Sequence, residues 1–129
     1  MNPVTLFILV TTGGALGSLT RWSLATFINS HVQSHFPWAT FCINFLGSSA
    51  FGLVYSWSMS HDHWREPIRM LFLTGFMGAF TTFSTFSFET FKLLEHGKIS
   101  LALVNILASV MLCLLGTWSG VVLGRQLFQ

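Results

Sequence analysis

The sequence predicts an all-α membrane protein: four transmembrane helices with a broken third helix, assembled as an antiparallel dual-topology homodimer. Three observations give the four spans, and the third-span chemistry and the charge balance give the break and the dimer. Of 129 residues, 52% are hydrophobic and only 8% charged, against roughly 25% charged in an average soluble domain. The apolar residues gather near 4–29, 37–58, 68–94 and 99–126, each stretch long enough to supply the roughly 20 residues that a bilayer core demands of a helix. The segments between them, NSHVQSH, SHDHWRE and EHGK, are short and polar. One membrane domain over 1–129 therefore takes up the chain and leaves no room for a soluble domain. A net charge of +2 from scattered basic residues excludes a nucleic-acid footprint, which needs clustered Lys and Arg.

The first span begins in MNPVTLFILVTTGGALG, which lacks a basic n-region and stays apolar past the usual signal length, so it reads as a retained span. Gly13 and Gly17 make a GxxxG step that permits close helix approach. Arg21 lies toward the end of this span. A charge at that depth costs several kcal/mol unless paired or wetted, and Arg21 either snorkels to an interface, ties helix ends together, or meets an ion. The second span carries Asn44, which serves either as interhelical glue worth about 0.6 kcal/mol or as a donor at a water-filled vestibule. Cys42 and Cys113 form no CxxC pair and are expected to be small packing residues.

The third span is the least ordinary. GFMGAFTTFSTFSFE, residues 75–89, sets Gly75 and Gly78 among the hydroxyls of Thr81, Thr82, Ser84, Thr85 and Ser87. Lipid penalises such chemistry, and irregular backbone at membrane depth is tolerated only inside protein or along a polar path. A break between Gly75 and Thr82 would turn freed carbonyls inward. In an antiparallel dimer the two breaks would meet near the midplane. Two carbonyls from each copy would then cage a small hard cation such as Na+, or a water, and a buried cation would favour anions nearby.

Phe83 and Phe86 are neighbours on one helical face, with Phe80 and Phe76 about one and two turns earlier. Ring edges are electropositive and can approach an anion. A stripped anion nonetheless faces a penalty on the order of tens of kcal/mol, so ring edges would have to act with Ser, Thr and Asn donors. Weak, distributed contacts also suit conduction, because a tightly held ion does not leave. Glu89 and Lys92 share a face and read as a paired helix end, with an ion-conducting role as the alternative.

In the fourth span Gly116, Gly120 and Gly124 form two further GxxxG steps, and Asn105 carries the same ambiguity as Asn44. The five histidines fall in or beside the turns, apart from the serines of the spans. An enzyme is therefore not expected, for want of a nucleophile beside a base. Nor is a histidine metal site. Trp22 and Trp38 would mark one interface, Trp57 and Trp64 the other. Arg65, Arg69 and Arg125 fall on the side of the termini and Arg21, Lys92 and Lys98 toward the other. So even a balance gives the positive-inside rule almost nothing to decide, and two opposite copies would form a two-fold dimer, the alternative being a single orientation fixed by Arg65 and Arg69.

These motifs resemble those of the CrcB, or Fluc, fluoride channels. GFMGAFTTFSTFSFE is similar to that family's third-span signature, and GGALGSLTRW at 13–22 and TFCINFLGSSAFG at 40–52 resemble its first- and second-span motifs in the same order. The resemblance covers essentially the entire chain, and TTFSTF at 81–86 is its most specific part. It implies a dual-topology homodimer in the cell inner membrane with two antiparallel pores, passively exporting fluoride that enters as HF and ionises inside. By motif position, Phe83 and Phe86 would line the fluoride path with ring edges, Asn44 would be a pore-side donor, and Ser84 and Thr85 would join the polar track. Gly78 and Thr81 would offer backbone carbonyls to a structural Na+ at the dimer centre. Arg21 and Glu89 match family positions without an assigned role, and Thr117 matches a fourth-span hydroxyl by approximate offset, with Cys113 standing four residues before it where a hydroxyl is expected.

Two other readings compete. A small multidrug-type proton-coupled antiporter shares four spans and dual topology but needs an intramembrane carboxylate, and the first span has none. A non-transporting membrane assembly protein would use the hydroxyls only as glue between helices.

Overall fold

The computed structural model describes residues 1–128. Helix α1 runs Pro3–His31; Pro3 supplies the preset φ of a first helical residue, and the Asn2 side chain caps it by accepting the Thr5 N–H at 2.8 Å. Helix α2 spans Trp38–Ser60 behind Pro37. The third pass is composite: a 3₁₀ turn at Asp62–Trp64, α3 at Arg65–Ile68, a π-helical stretch at Arg69–Met77, α4 at Gly78–Phe80 and α5 at Phe83–Glu95. Gly97, at φ +70°, makes the turn into α6, Ile99–Phe128. Among the described residues, Pro3–His31, Trp38–Ser60, Asp62–Glu95 and Ile99–Phe128 are the 4 segments long and apolar enough to cross a bilayer.

Helix ends are closed by histidines as well as by turns. His31, His61 and His96 each donate Nδ1–H to the carbonyl four residues earlier, Phe27, Trp57 and Lys92, at 2.8, 2.9 and 2.7 Å. A cationic or donor side chain at a helix C-terminus interacts favourably with the carbonyls of the last turns, here in addition to backbone donors such as the His96 N–H on the Lys92 carbonyl.

The surface is apolar and much of the interior is small or polar. Leu107, Leu114 and Trp118 of α6 are exposed, whereas its buried positions are Ala102, Asn105, Ser109, Gly116, Gly120 and Gly124. Lipid offers large side chains no reason to hide, so small residues are reserved for the lines where backbones meet. α2 packs chiefly on α6, and α1 on the π-helical stretch. Both seams rest on glycine. A Cβ on Gly13 would strike the Leu71 carbonyl and one on Gly17 the Phe76 carbonyl; likewise Gly52 faces the Thr117 carbonyl and Gly120 the Ser49 carbonyl. Across α2 and α6, Ser56 donates to the Val121 carbonyl at 3.1 Å and Thr117 to the Ser48 carbonyl at 3.2 Å.

Ile43, Met77 and Phe80 form the buried apolar cluster, with Leu24, Ala25, Ala50 and Phe76 against it. Gly75 belongs to the seam rather than to any opening: it is buried in the π-helical stretch, where a Cβ would lie 2.9 Å from the Val10 carbonyl. The N-terminal amine approaches Glu66 at 3.4 Å, which sets the start of the chain beside the turn that precedes Arg69.

Candidate functional site

Between α4 and α5, Thr81 (φ −78°, ψ 157°) and Thr82 (φ −150°, ψ 109°) take extended torsions. Asn44 on α2 holds them there. Its Oδ1 accepts the Thr82 N–H at 2.8 Å and its Nδ2 donates to the Thr82 carbonyl at 3.0 Å, a two-point bond between one amide side chain and one residue's backbone. Thr82 in turn caps α5: its Oγ1 accepts the Thr85 N–H at 3.2 Å.

These bonds divert two donors from their helical acceptors. In an unbroken helix the Thr82 N–H would bond the Gly78 carbonyl and the Thr85 N–H the Thr81 carbonyl. With both donors committed elsewhere, no hydrogen bond reaches either carbonyl among the described residues. Gly78 is exposed on the protomer surface, and a Cβ there would meet nothing nearer than the Leu73 carbonyl at 3.9 Å.

Beside this segment lies a cavity of about 560 Å³, lined by Asn44, Thr81, Thr82, Phe83, Phe86 and Thr117 together with Gly47, Ser48, Phe51, Ser109, Val110, Cys113 and Leu114. Among the described residues no charged side chain lines it. Phe86 is 8% exposed and Phe83 77% exposed, with ring centroids 5.4 Å apart and planes tilted by 42°. One ring is thus set in the wall, while the other stands at the rim, largely uncovered by its own protomer.

Five of the residues to which the sequence gives a site role reach this cavity, Asn44, Thr81, Phe83, Phe86 and Thr117, and Thr82 and Cys113 line it with them. Ser84 and Thr85 are exposed and lie outside it; they surround the Thr82 hydroxyl, at 3.3 and 2.9 Å. Gly78 lies outside the cavity as well. The Thr117 hydroxyl spends its single hydrogen on the Ser48 carbonyl, so it offers the cavity lone pairs rather than a donor. Asn44, in contrast, keeps one of its two amide hydrogens uncommitted.

Ser48 and Ser109 line the cavity without having been singled out from the sequence. Each had a signal in its spacing: Ser48 stands four residues after Asn44, and Ser109 four after Asn105 and four before Cys113, positions that share a helical face. The Ser48 hydroxyl makes no hydrogen bond among the described residues, whereas Ser109 donates to Asn105 Oδ1 at 3.3 Å.

Glu89 lines a second cavity, of about 400 Å³, at the other end of α5, with Asn29, His35, Lys92, His96 and Lys98 around it. The expected Glu89–Lys92 pair does not form. Lys92 instead places its ammonium 5.0 Å from the centroid of the Phe88 ring, and Glu89 Oε2 is buried without a hydrogen-bond partner. The two residues share the pocket without meeting in it. Arg21 is half-buried and lines neither cavity. No cluster of three or more His, Cys, Asp or Glu residues suited to a metal ion occurs among the described residues.

Residues 8–121 match the family model described as CrcB-like protein, Camphor Resistance (CrcB). The chain is 41% identical over 124 residues to a protein of Geobacter sulfurreducens named fluoride-specific ion channel FluC, covering 96% of this chain and 100% of the relative. Proteins of the same name are 42% identical in Citrifermentans bemidjiense, over 88% of this chain and 92% of the relative, and 43% identical in Magnetococcus marinus, over 90% and 94%. A family match across most of the sequence and relatives above 40% identity over nearly their full lengths lead to one conclusion: the chain belongs to the CrcB family.

Proposed function

We propose that this protein is a fluoride channel of the cell inner membrane that works as an antiparallel dual-topology homodimer and lets fluoride leave the cell passively, lowering its toxicity. The observation that carries the reading is the cavity beside Thr82. It joins two phenylalanines, hydroxyls and a spare amide N–H at the start of α5, with no charged side chain in its lining among the described residues. A carboxylate there would repel an anion and a lysine would trap it. Ring edges, the Asn44 amide and the positive end of the α5 dipole instead offer weak attraction from several sides. The names of the relatives supply fluoride as the ion.

The extended pair Thr81–Thr82 is read as the break in the third helix, and the second copy completes the path. Phe83, exposed at the rim, gains its opposite wall from the partner, and Ser84 and Thr85 on the same exposed side extend the polar track between the copies. The bare Gly78 and Thr81 carbonyls fit a sodium ion: they are uncharged oxygen donors with no competing hydrogen bond among the described residues, and Gly78 leaves room for a second backbone to approach. Na+ bound there would supply a fixed positive charge at the dimer centre.

The test is efflux from proteoliposomes followed with a fluoride electrode, with chloride as control. Fluoride leaving without a proton gradient, and chloride retained, supports the channel. Strictly proton-coupled movement of organic cations, or no ion movement at all, would overturn it.

A further inference from the structure

We propose that Asn105 and Thr90 are positioning residues for the Phe86 ring, an inference that rests on the channel reading above. α5 follows two extended residues, so it does not inherit its orientation from α4 through a continuous helix. Asn44 fixes its start at Thr82. Thr82, Phe86 and Thr90 are four residues apart in succession and therefore lie on one face, a turn between each. The second fixed point is Thr90, and it is held from α6.

The hydrogen-bond directions are determined. Thr90 has one hydroxyl hydrogen and gives it to the Phe86 carbonyl, at 2.7 Å. It can therefore only accept from Asn105, whose Nδ2 lies 2.8 Å away. That orients the Asn105 amide and leaves its Oδ1 to accept the Ser109 hydroxyl at 3.3 Å. Asn105 is 1% exposed, and Thr90 and Ser109 are buried with it. One amide thus ties the backbone of Phe86 on one cavity wall to the cavity-lining Ser109 on the other. Phe86 sits midway between two asparagine clamps contributed by two different helices.

A ring that conducts by its edge must keep that edge toward the path. Losing one clamp leaves α5 free to roll or slide about the other, which turns the ring while the dimer stays assembled. If Asn105 were merely glue, its loss would lower stability and leave the ion preference of each folded dimer unchanged.

The decisive comparison is Thr90→Val against Thr90→Ser in the full-length protein, reconstituted after size-exclusion chromatography has shown an unaltered assembly, with fluoride and chloride efflux measured on each. Thr90→Val keeps the shape and removes the hydroxyl. Its fluoride flux per assembly should fall by about threefold or more, the factor that corresponds to one ordinary interhelical hydrogen bond, and its fluoride-to-chloride preference should fall with it. Thr90→Ser should restore both, and Asn105→Leu, where it assembles, should behave as Thr90→Val does. Wild-type flux with an unchanged Thr90→Val rate and ion preference overturns the positioning role alone. Absence of fluoride flux from the wild type overturns the channel reading, and the inference with it.

Discussion

Asn44 does two things with one amide, and a substitution separates them. Replacing it by Ala strips partners from both the N–H and the carbonyl of Thr82. Each bond is worth about 0.5–1.5 kcal/mol net, so the Asn44→Ala protein should lose about 1–3 kcal/mol and melt earlier in detergent as well as lose fluoride flux. Phe83 behaves differently because its ring is largely uncovered within the protomer. Phe83→Ile removes little packing within the protomer and so should fold, elute as wild type does on gel filtration, and lose most of its fluoride flux. Retained flux would remove the ring edge from the mechanism. At Phe86, which is buried, the same substitution should lower both flux and stability, so Phe83→Ile is the cleaner probe.

At the scale of elements, the seams between helices make a sharp distinction between adjacent glycines. A Cβ on Gly13 would strike the Leu71 carbonyl, whereas one on Gly14 would meet nothing within 4 Å. Gly13→Ala should therefore cost about 1–3 kcal/mol through overpacking, and Gly14→Ala should be neutral or stabilise by up to about 1 kcal/mol through helix propensity. Thermal unfolding in detergent reads both, and equal behaviour of the two would contradict the seam. The sequence could show that Gly13 and Gly17 form a packing step, because GxxxG spacing is local. It could also show four spans, because hydropathy over a long window survives the loss of detail. The π-helical stretch at Arg69–Met77 was not legible: an i→i+5 bond pattern has no composition of its own. Nor was the Asn44 clamp, since its partner is a backbone group 38 residues away. The sequence confines a break only to the interval from Gly75 to Thr82, yet the extended torsions fall on two threonines and Gly75 serves close packing. Residue type told that the segment was unusual, and only the tertiary partner told where. Ser48 and Ser109 escape notice for a related reason: a serine in a membrane helix usually bonds its own preceding turn, as Ser49 does to Phe45 at 2.9 Å.

At the scale of the molecule, a lone protomer carries a feature that lipid would not tolerate. The Gly78 carbonyl has no hydrogen bond among the described residues and belongs to a residue exposed on the protomer surface, and such a group costs several kcal/mol against hydrocarbon. In the proposed dimer an inverted copy would cover that carbonyl and the sodium ion would bond it, which requires both orientations in comparable amounts. The chain has the charge distribution for this, because its Lys and Arg residues divide evenly between the ends, 6 in all. A balance so close is easily tipped. Two lysines added to the turn at residues 61–64 should draw that end to the cytoplasm, leave most copies in one orientation, and abolish fluoride resistance in cells. Two lysines added instead to the turn at residues 32–35 should do the same with the opposite orientation. Neither variant alone should support function, whereas co-expression of both should restore it, because each supplies the orientation that the other lacks. Full resistance from either single variant, with accessibility labelling showing one orientation only, would mean that the working unit does not need an inverted partner.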